Sequence, residues 1–223
     1  MESAQIFSSI NKLLTTHFNR EFWLSLEDEL TTSYANANAS IDSPLAKLEQ
    51  PQKKRLLPQT RHYYLNSAFY RAAKSCGLSC DDAFTEPRGE NYYIVQSGQI
   101  KVSRIGLRYD EHLIRKANHR LLIAELNSEY EGFTPDFFQE QTQQSFPDGT
   151  LGVLIVNVNP PFSRPQEEML DLRVTVPFTN LKNYHYNQSI RDVLALYNQT
   201  EFAPEVPDLA IPLLKKRLKQ QEG

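Results

Sequence analysis

Residues 91–105 read N-Y-Y-I-V-Q-S-G-Q-I-K-V-S-R-I. Two runs rich in β-branched and aromatic residues, 91–96 and 99–105, flank Ser97-Gly98, which is the pattern of a β-hairpin. Gly106 closes the second run. Upstream, the pattern is different. All eight glycines lie at or after Gly77, and a long glycine-free stretch favours helix. The period of the apolar residues therefore changes at Gly77, from helical before it to strand-like after it.

Before Gly77 the clearest helix is 60–76. Thr60 is placed to N-cap it, Gly77 fits the left-handed position after its end, and Leu78 follows in the Schellman pattern. Leu65, Ala68, Phe69, Ala72, Ala73 and Cys76 form its apolar stripe, and Tyr63, Ser67, Tyr70, Arg71 and Lys74 lie opposite. Residues 4–18 give an amphipathic helix through Ile6, Phe7, Ile10, Leu13, Leu14 and Phe18. Residues 21–34 give another through Phe22, Trp23, Leu26 and Leu30. The small polar run after it, YANANASIDSP, is expected to be a loop. Pro51 and Pro58 leave room for one short helix in 45–57.

After the hairpin, 110–130 predicts a helix with Leu113, Ala117, Leu121 and Ala124 facing inward, although LLIAEL also suits a strand. Residues 150–158 are almost wholly apolar, as in a central strand. Residues 172–178 predict another strand, with Pro177 placing its end at a sheet edge. A helix over 189–198 would bury Ile190, Val193, Leu194 and Tyr197, and a tail helix would follow at 208–221. Helices and strands do not alternate singly. The expected class is α+β, with a mostly antiparallel sheet of about four or five strands. An all-helical region, 1–76, would precede a core over 77–223, the two forming one continuous unit.

The chain has 223 residues, 40% apolar and 23% charged, with a formal charge of −3. That composition supports a real core and excludes a protein basic all over its surface. A local basic face is not excluded. The opening residues lack the pattern of a secretion leader, and the longest apolar run, near 151–158, is too short to span a bilayer. Cys76 and Cys80 have three residues between them, with no second pair to complete a zinc site. These features predict a cytoplasmic protein with reduced thiols, no membrane partner and no metal. Sequons at Asn38, Asn187 and Asn198 carry no weight in that setting.

Charge is uneven along the chain. Residues 1–50 carry three cations against seven acids, whereas 51–75 carry Lys53, Lys54, Arg55, Arg61, Arg71 and Lys74 against none. A second basic stretch holds Lys101, Arg104, Arg108, Arg115, Lys116 and Arg120. Cations hold phosphates and aromatic rings stack on unpaired bases. The leading expectation is an accessory or regulatory protein contacting DNA or RNA. Its face would comprise Lys53, Lys54, Arg55, Arg61, Tyr63, Tyr70, Arg71, Lys74, Lys101 and Arg104. Against this, Lys53, Lys54 and Arg55 could simply pair with the acidic 21–29 segment.

Two alternatives stand beside it. Phe7, Ile10 and Leu14, with Glu27, Asp28 and Glu29 nearby, could meet a protein partner or a second copy, as in an antitoxin or immunity-type inhibitor. The hairpin also resembles, loosely, the acid-then-(E/Q)-x-K pattern of restriction-endonuclease-like folds. That resemblance implies a metal-dependent nuclease with Glu90, Gln99 and Lys101 at its centre, and Asp81, Asp82 or Glu86 as further acids. Gln99 stands where a glutamate is usual, and no Pro-Asp precedes it. Mg²⁺ would enter only under that alternative; otherwise no cofactor is expected, and catalysis is not the favoured expectation. His112, Lys116 and His119 would share a helix face, suiting an acid–base or metal pair. Dinucleotide, Walker, nucleophile-elbow and H-E-x-x-H motifs are all absent.

Overall fold

A computed structural model describes residues 2–44, 47–85, 89–131 and 150–198. Three long helices come first: α1 (Glu2–His17), α2 (Arg20–Asp42) and α3 (Gln50–Ser75). The sheet strands are β1 (Ser79–Phe84), β2 (Asn91–Ser97), β3 (Ile100–Arg108), β4 (Leu151–Asn159), β5 (Asp171–Pro177) and β6 (Tyr184–Ser189). Helices α4 (Asn118–Glu125) and α5 (Ser128–Glu131) lie between β3 and β4, and α6 (Ile190–Asn198) follows β6. The fold is α+β.

Strand order in the six-stranded sheet follows the chain, β1-β2-β3-β4-β5-β6. Every pairing is antiparallel except β3 with β4, which is parallel. The predicted hairpin is β2–β3, closed by Gly98 at φ +57° between the paired Ser97 and Ile100. Helices α1, α2, α3 and α6 cover one face, where Phe22, Trp23, Leu26, Leu65 and Phe69 meet Val102, Val153 and Val174. On the other face, Ile123 and Ala124 of α4 pack with Ile105, Leu154 and Val156. Covered on both sides, β4 is buried over 151–157, as its apolar run predicts.

Several expectations need correction. The ANANAS segment is not a loop: α2 runs through it to Asp42, because Tyr34, Ala37, Asn38 and Ile41 recur on its buried side. Likewise α3 begins at Gln50, ten residues before Thr60, with Glu49 and Gln52 forming a capping box. Pro58 sits inside α3. It removes one backbone bond, yet burial of Leu57, Leu65 and Phe69 holds the helix. The predicted Schellman end is present, with Gly77 at φ +69° and Leu78 N–H donating to the Ala73 carbonyl at 3.0 Å. The 110–130 helix is confined to α4 and α5, and Leu113 is exposed. The sheet has six strands where about four or five were expected, β1 and β6 being the edges. Pro177 is not at an edge, since β5 lies between β4 and β6. The 208–221 tail falls outside the described residues.

Asn127 explains how an interior strand tolerates Pro177. Its side chain is fully buried, donating to the carbonyls of Gly152 (3.0 Å) and Pro177 (2.9 Å) and accepting from Gly152 N–H (2.8 Å). One carboxamide thus satisfies the groups left where a ladder bond to Pro177 cannot form. The fit requires glycine at 152, since a Cβ there would lie 1.8 Å from the Ile123 carbonyl oxygen.

Candidate anion-binding cleft

The face of the parallel pair under α3 changes character along its length. Register pairs Val102 with Val153, then Arg104 with Ile155, Gly106 with Asn157 and Arg108 with Asn159. The apolar floor turns polar toward the carboxyl ends of the two strands. There α3 brings Arg61 and His62 over it. Tyr109, Glu111, Arg115 and Arg120 line it from one segment, and 160–163 from another. The cleft measures about 730 Å³, within the size range of small-molecule sites.

Five arginines line this cleft, Arg61, Arg104, Arg108, Arg115 and Arg120, against one carboxylate, Glu111. Glu111 is already engaged by Arg115 and by the Arg108 backbone N–H, and Arg108 pairs with Asp110 at 2.8 Å. Among the described residues no carboxylate oxygen lies within ion-pair distance of Arg61, Arg104 or Arg120.

Arg104 is 5% exposed, and every partner it has is neutral. Its Nη2 donates to Asn66 Oδ1 at 2.7 Å and its Nη1 to Asn157 Oδ1 at 2.8 Å. Nη2 also lies 3.2 Å from His62 Nδ1. An arginine only donates, so that His62 nitrogen is the acceptor; the ring's Nε2 lies 3.1 Å from the Asn66 Nδ2 amide and 3.8 Å from Glu90. Burial first, and then the neighbouring Arg120 charge, pull Arg104 down to about 9. Asn157 is itself held by Asn159, which donates to the Leu107 carbonyl and accepts from Tyr34 Oη. Arg61, also 5% exposed, lies over the Tyr34 ring at 4.2 Å and donates to Gln166. The Nε atoms of Arg61 and Arg120 are buried without a hydrogen-bond partner. Burial, Arg120 and His62 push His119 down to about 4, and its ring packs on Tyr92 at a tilt with centroids 4.6 Å apart.

The arrangement is a cationic pocket whose two most deeply buried arginines, Arg61 and Arg104, have only neutral hydrogen-bond partners. Removing a charge from water is costly unless an opposite charge answers it, and among the described residues none lies at ion-pair distance from Arg61, Arg104 or Arg120. Rigid guanidinium forks suit the oxygens of phosphate or carboxylate. Tyr109 and Phe162, each about half exposed, stand at the rim.

The residues expected on one basic face are divided by the structure. Arg61 and Arg104 are interior and belong to the cleft. Lys53 pairs with Asp42 at 3.1 Å, rather than with the 21–29 segment. Arg71 pairs with Glu29 at 2.7 Å and also donates to Ser33. Lys54 and Arg55 are exposed on the first turns of α3, and Tyr63 is exposed beside His62. Tyr70 packs against Tyr93, with Lys74 over its ring. Lys101 is exposed near the hairpin turn, at the far end of β3 from the cleft.

The partner-binding set is similarly redistributed. Ile10 and Leu14 are fully buried in the protein's own core, and Phe7 packs on Tyr186 with ring centroids 4.8 Å apart. They are not available to a second chain, because the sheet and α6 already cover that face. Glu27 meets Arg191 at 3.3 Å, Glu29 meets Arg71, and Asp28 stays exposed.

The nuclease constellation does not assemble. Glu90 lies beside His62, at the end of β2 opposite the turn, whereas Gln99 accepts from Thr150 Oγ1 at that turn. Asp81 shares the Lys101 face through the Asp81–Ile94–Ser103 row. It is nonetheless two strands and two residues away, about 10 Å or more. Asp82 alternates to the opposite face, and Glu86 falls outside the described residues. No group of three His, Cys, Asp or Glu side chains suits a metal among the described residues. His112 and Lys116 precede α4, while His119 lies within it, so they share no helix face.

The basic stretch 104–120 was legible in sequence, but its assembly with Asn66, Asn157 and Asn159 was not. One signal existed: the two asparagines in I-V-N-V-N interrupt an otherwise apolar strand at alternate positions, on one face. Comparison with protein-family models, with curated proteins and with solved structures gives no match. No helix among the described residues is long and apolar enough to cross a membrane.

Proposed function

We propose that the protein binds nucleic acid through the arginine cleft, which holds phosphate, while the rim aromatics stack on bases. The observation that carries this is the pair of buried guanidiniums, Arg61 and Arg104, whose hydrogen-bond partners are all neutral and which line one cavity with three further arginines. Such a pocket is costly to the apoprotein unless an anion occupies it in use. A nucleic acid supplies phosphate oxygens for the forks and flat bases for Tyr109 and Phe162. Arg61 and Arg104 remain from the expected face. Arg120, with no carboxylate at ion-pair distance among the described residues, joins them in the cleft, and Arg108 and Arg115, paired with Asp110 and Glu111, add exposed cations at its rim; Lys53 and Arg71 lie outside it, paired with Asp42 and Glu29.

Fluorescence anisotropy with labelled single-stranded DNA and RNA, across a salt series, tests this reading. Arg108→Ala with Arg115→Ala removes two exposed cations from the rim without opening the core. The expected result is weaker binding and a salt slope shallower by about 0.7 per lost phosphate contact. Lys54→Ala with Arg55→Ala, on the far turns of α3, should bind like the parent. Equal binding by parent and cleft variant at every salt concentration would overturn the proposal.

A further inference from the structure

Resting on that reading, we infer that the cleft takes the terminal phosphate monoester of a nucleotide unit, and not an internal phosphodiester of a continuous strand. The cationic floor is deep. Arg61 and Arg104 are each 5% exposed, so only a group inserted between α3 and the 160–163 wall reaches them. A volume of about 730 Å³ suits one nucleotide, whereas a duplex about 20 Å across has no room to enter. Charge points the same way. Arg61, Arg104 and Arg120 have no carboxylate at ion-pair distance among the described residues, and the buried Nε atoms of Arg61 and Arg120 have no partner. A phosphate monoester brings nearly two negative charges and three acceptor oxygens. A diester brings one charge and two such oxygens, and its chain must leave the pocket in both directions.

The site is also preformed. Asn66 and Asn157 fix the Arg104 fork. Gly106 keeps the floor open, since a Cβ there would crowd the Asn157 and Asn159 side chains at 3.3–3.4 Å. Tyr109 and Phe162 lie at the mouth, where the base of a terminal nucleotide would sit.

The test is a competition assay using one single-stranded sequence in several forms: 5′-phosphorylated, 3′-phosphorylated, hydroxyl at both ends, and circular. Nucleoside monophosphate and inorganic phosphate serve as small competitors. A phosphorylated end should bind about tenfold or more tightly than the circle or the hydroxyl form, as expected for lost charge-assisted hydrogen bonds. Tyr109→Ala with Phe162→Ala should weaken nucleotide competition while leaving inorganic phosphate unchanged. Competition by nucleoside monophosphate at concentrations matching the strand end would identify a free nucleotide as the ligand. Strand binding in which the circle equals the phosphorylated end overturns this inference and leaves the nucleic-acid reading intact. Nucleotide binding without strand binding supports the inference and overturns that reading. Absence of binding by every form overturns both.

Discussion

At the scale of single residues, the protein concentrates electrostatic cost where its cleft lies. His119 packs on Tyr92 near Arg120 and His62, and burial with those neighbours holds it down to about 4. Unfolded, it would titrate near 6.5. The folded protein therefore binds fewer protons than the unfolded chain between those values. The stability it contributes is present above about pH 6.5 and is lost as pH falls toward 4. His62 is shifted in the same direction, by burial and then Arg104. Denaturant melts of the parent and of His119→Asn across pH 4–7.5 should differ in slope, the variant losing less stability on acidification; parallel curves would contradict the assignment. Site legibility in the sequence was limited for a physical reason. Positive charge is visible in a list of residues, but whether a carboxylate answers it depends on packing. Arg71 and Arg104 read alike until Glu29 is found beside one and Asn66 beside the other.

At the scale of elements, helices and strands were legible where burial agreed with local preference. Phe69 is fully buried in α3, as its apolar stripe predicts. Phe69→Ala should cost about 3–5 kcal/mol, measurable by urea unfolding, and a cost under 1 kcal/mol would mean that the stripe is not the helix's anchor. The errors came where tertiary burial overrode local signals. Ala37, Asn38 and Ile41 hold α2 together through residues that favour turns, and the α3 core face outweighs Pro58. Edge strands β1 and β6 were hard to read because their polar, half-exposed residues give no apolar run. Pro177 misled for a different reason: the element that compensates it, Asn127, lies in a connecting turn. Asn127→Ala would strand Gly152 N–H and two carbonyls in the interior, a loss on the order of 3 kcal/mol. Asn127→Asp should fail to restore it, since a carboxylate cannot donate to the two carbonyls. Stability of the aspartate variant equal to the parent would refute this role.

At the scale of the whole molecule, the parallel β3–β4 pairing is the seam between two locally connected halves, α1 through β3 and β4 through α6. All other strand neighbours are joined by short antiparallel connections, whereas Ile100 must find Leu151 across about half a hundred intervening residues. Contacts so distant in sequence raise the entropic barrier to folding and tend to slow it. The cleft straddles this seam, with Arg104 and Arg108 from one half and Asn157 and Asn159 from the other. A binding pocket made only by the last closure is absent from a transition state in which the halves are still apart. A saturating ligand should therefore slow unfolding while leaving the refolding rate unchanged, readable as a shift of the unfolding limb alone in a stopped-flow chevron. Acceleration of refolding by ligand would place the seam's closure before the barrier. On the proposed reading, then, a ligand would be a latch on an already assembled protein, prolonging its lifetime without guiding its assembly.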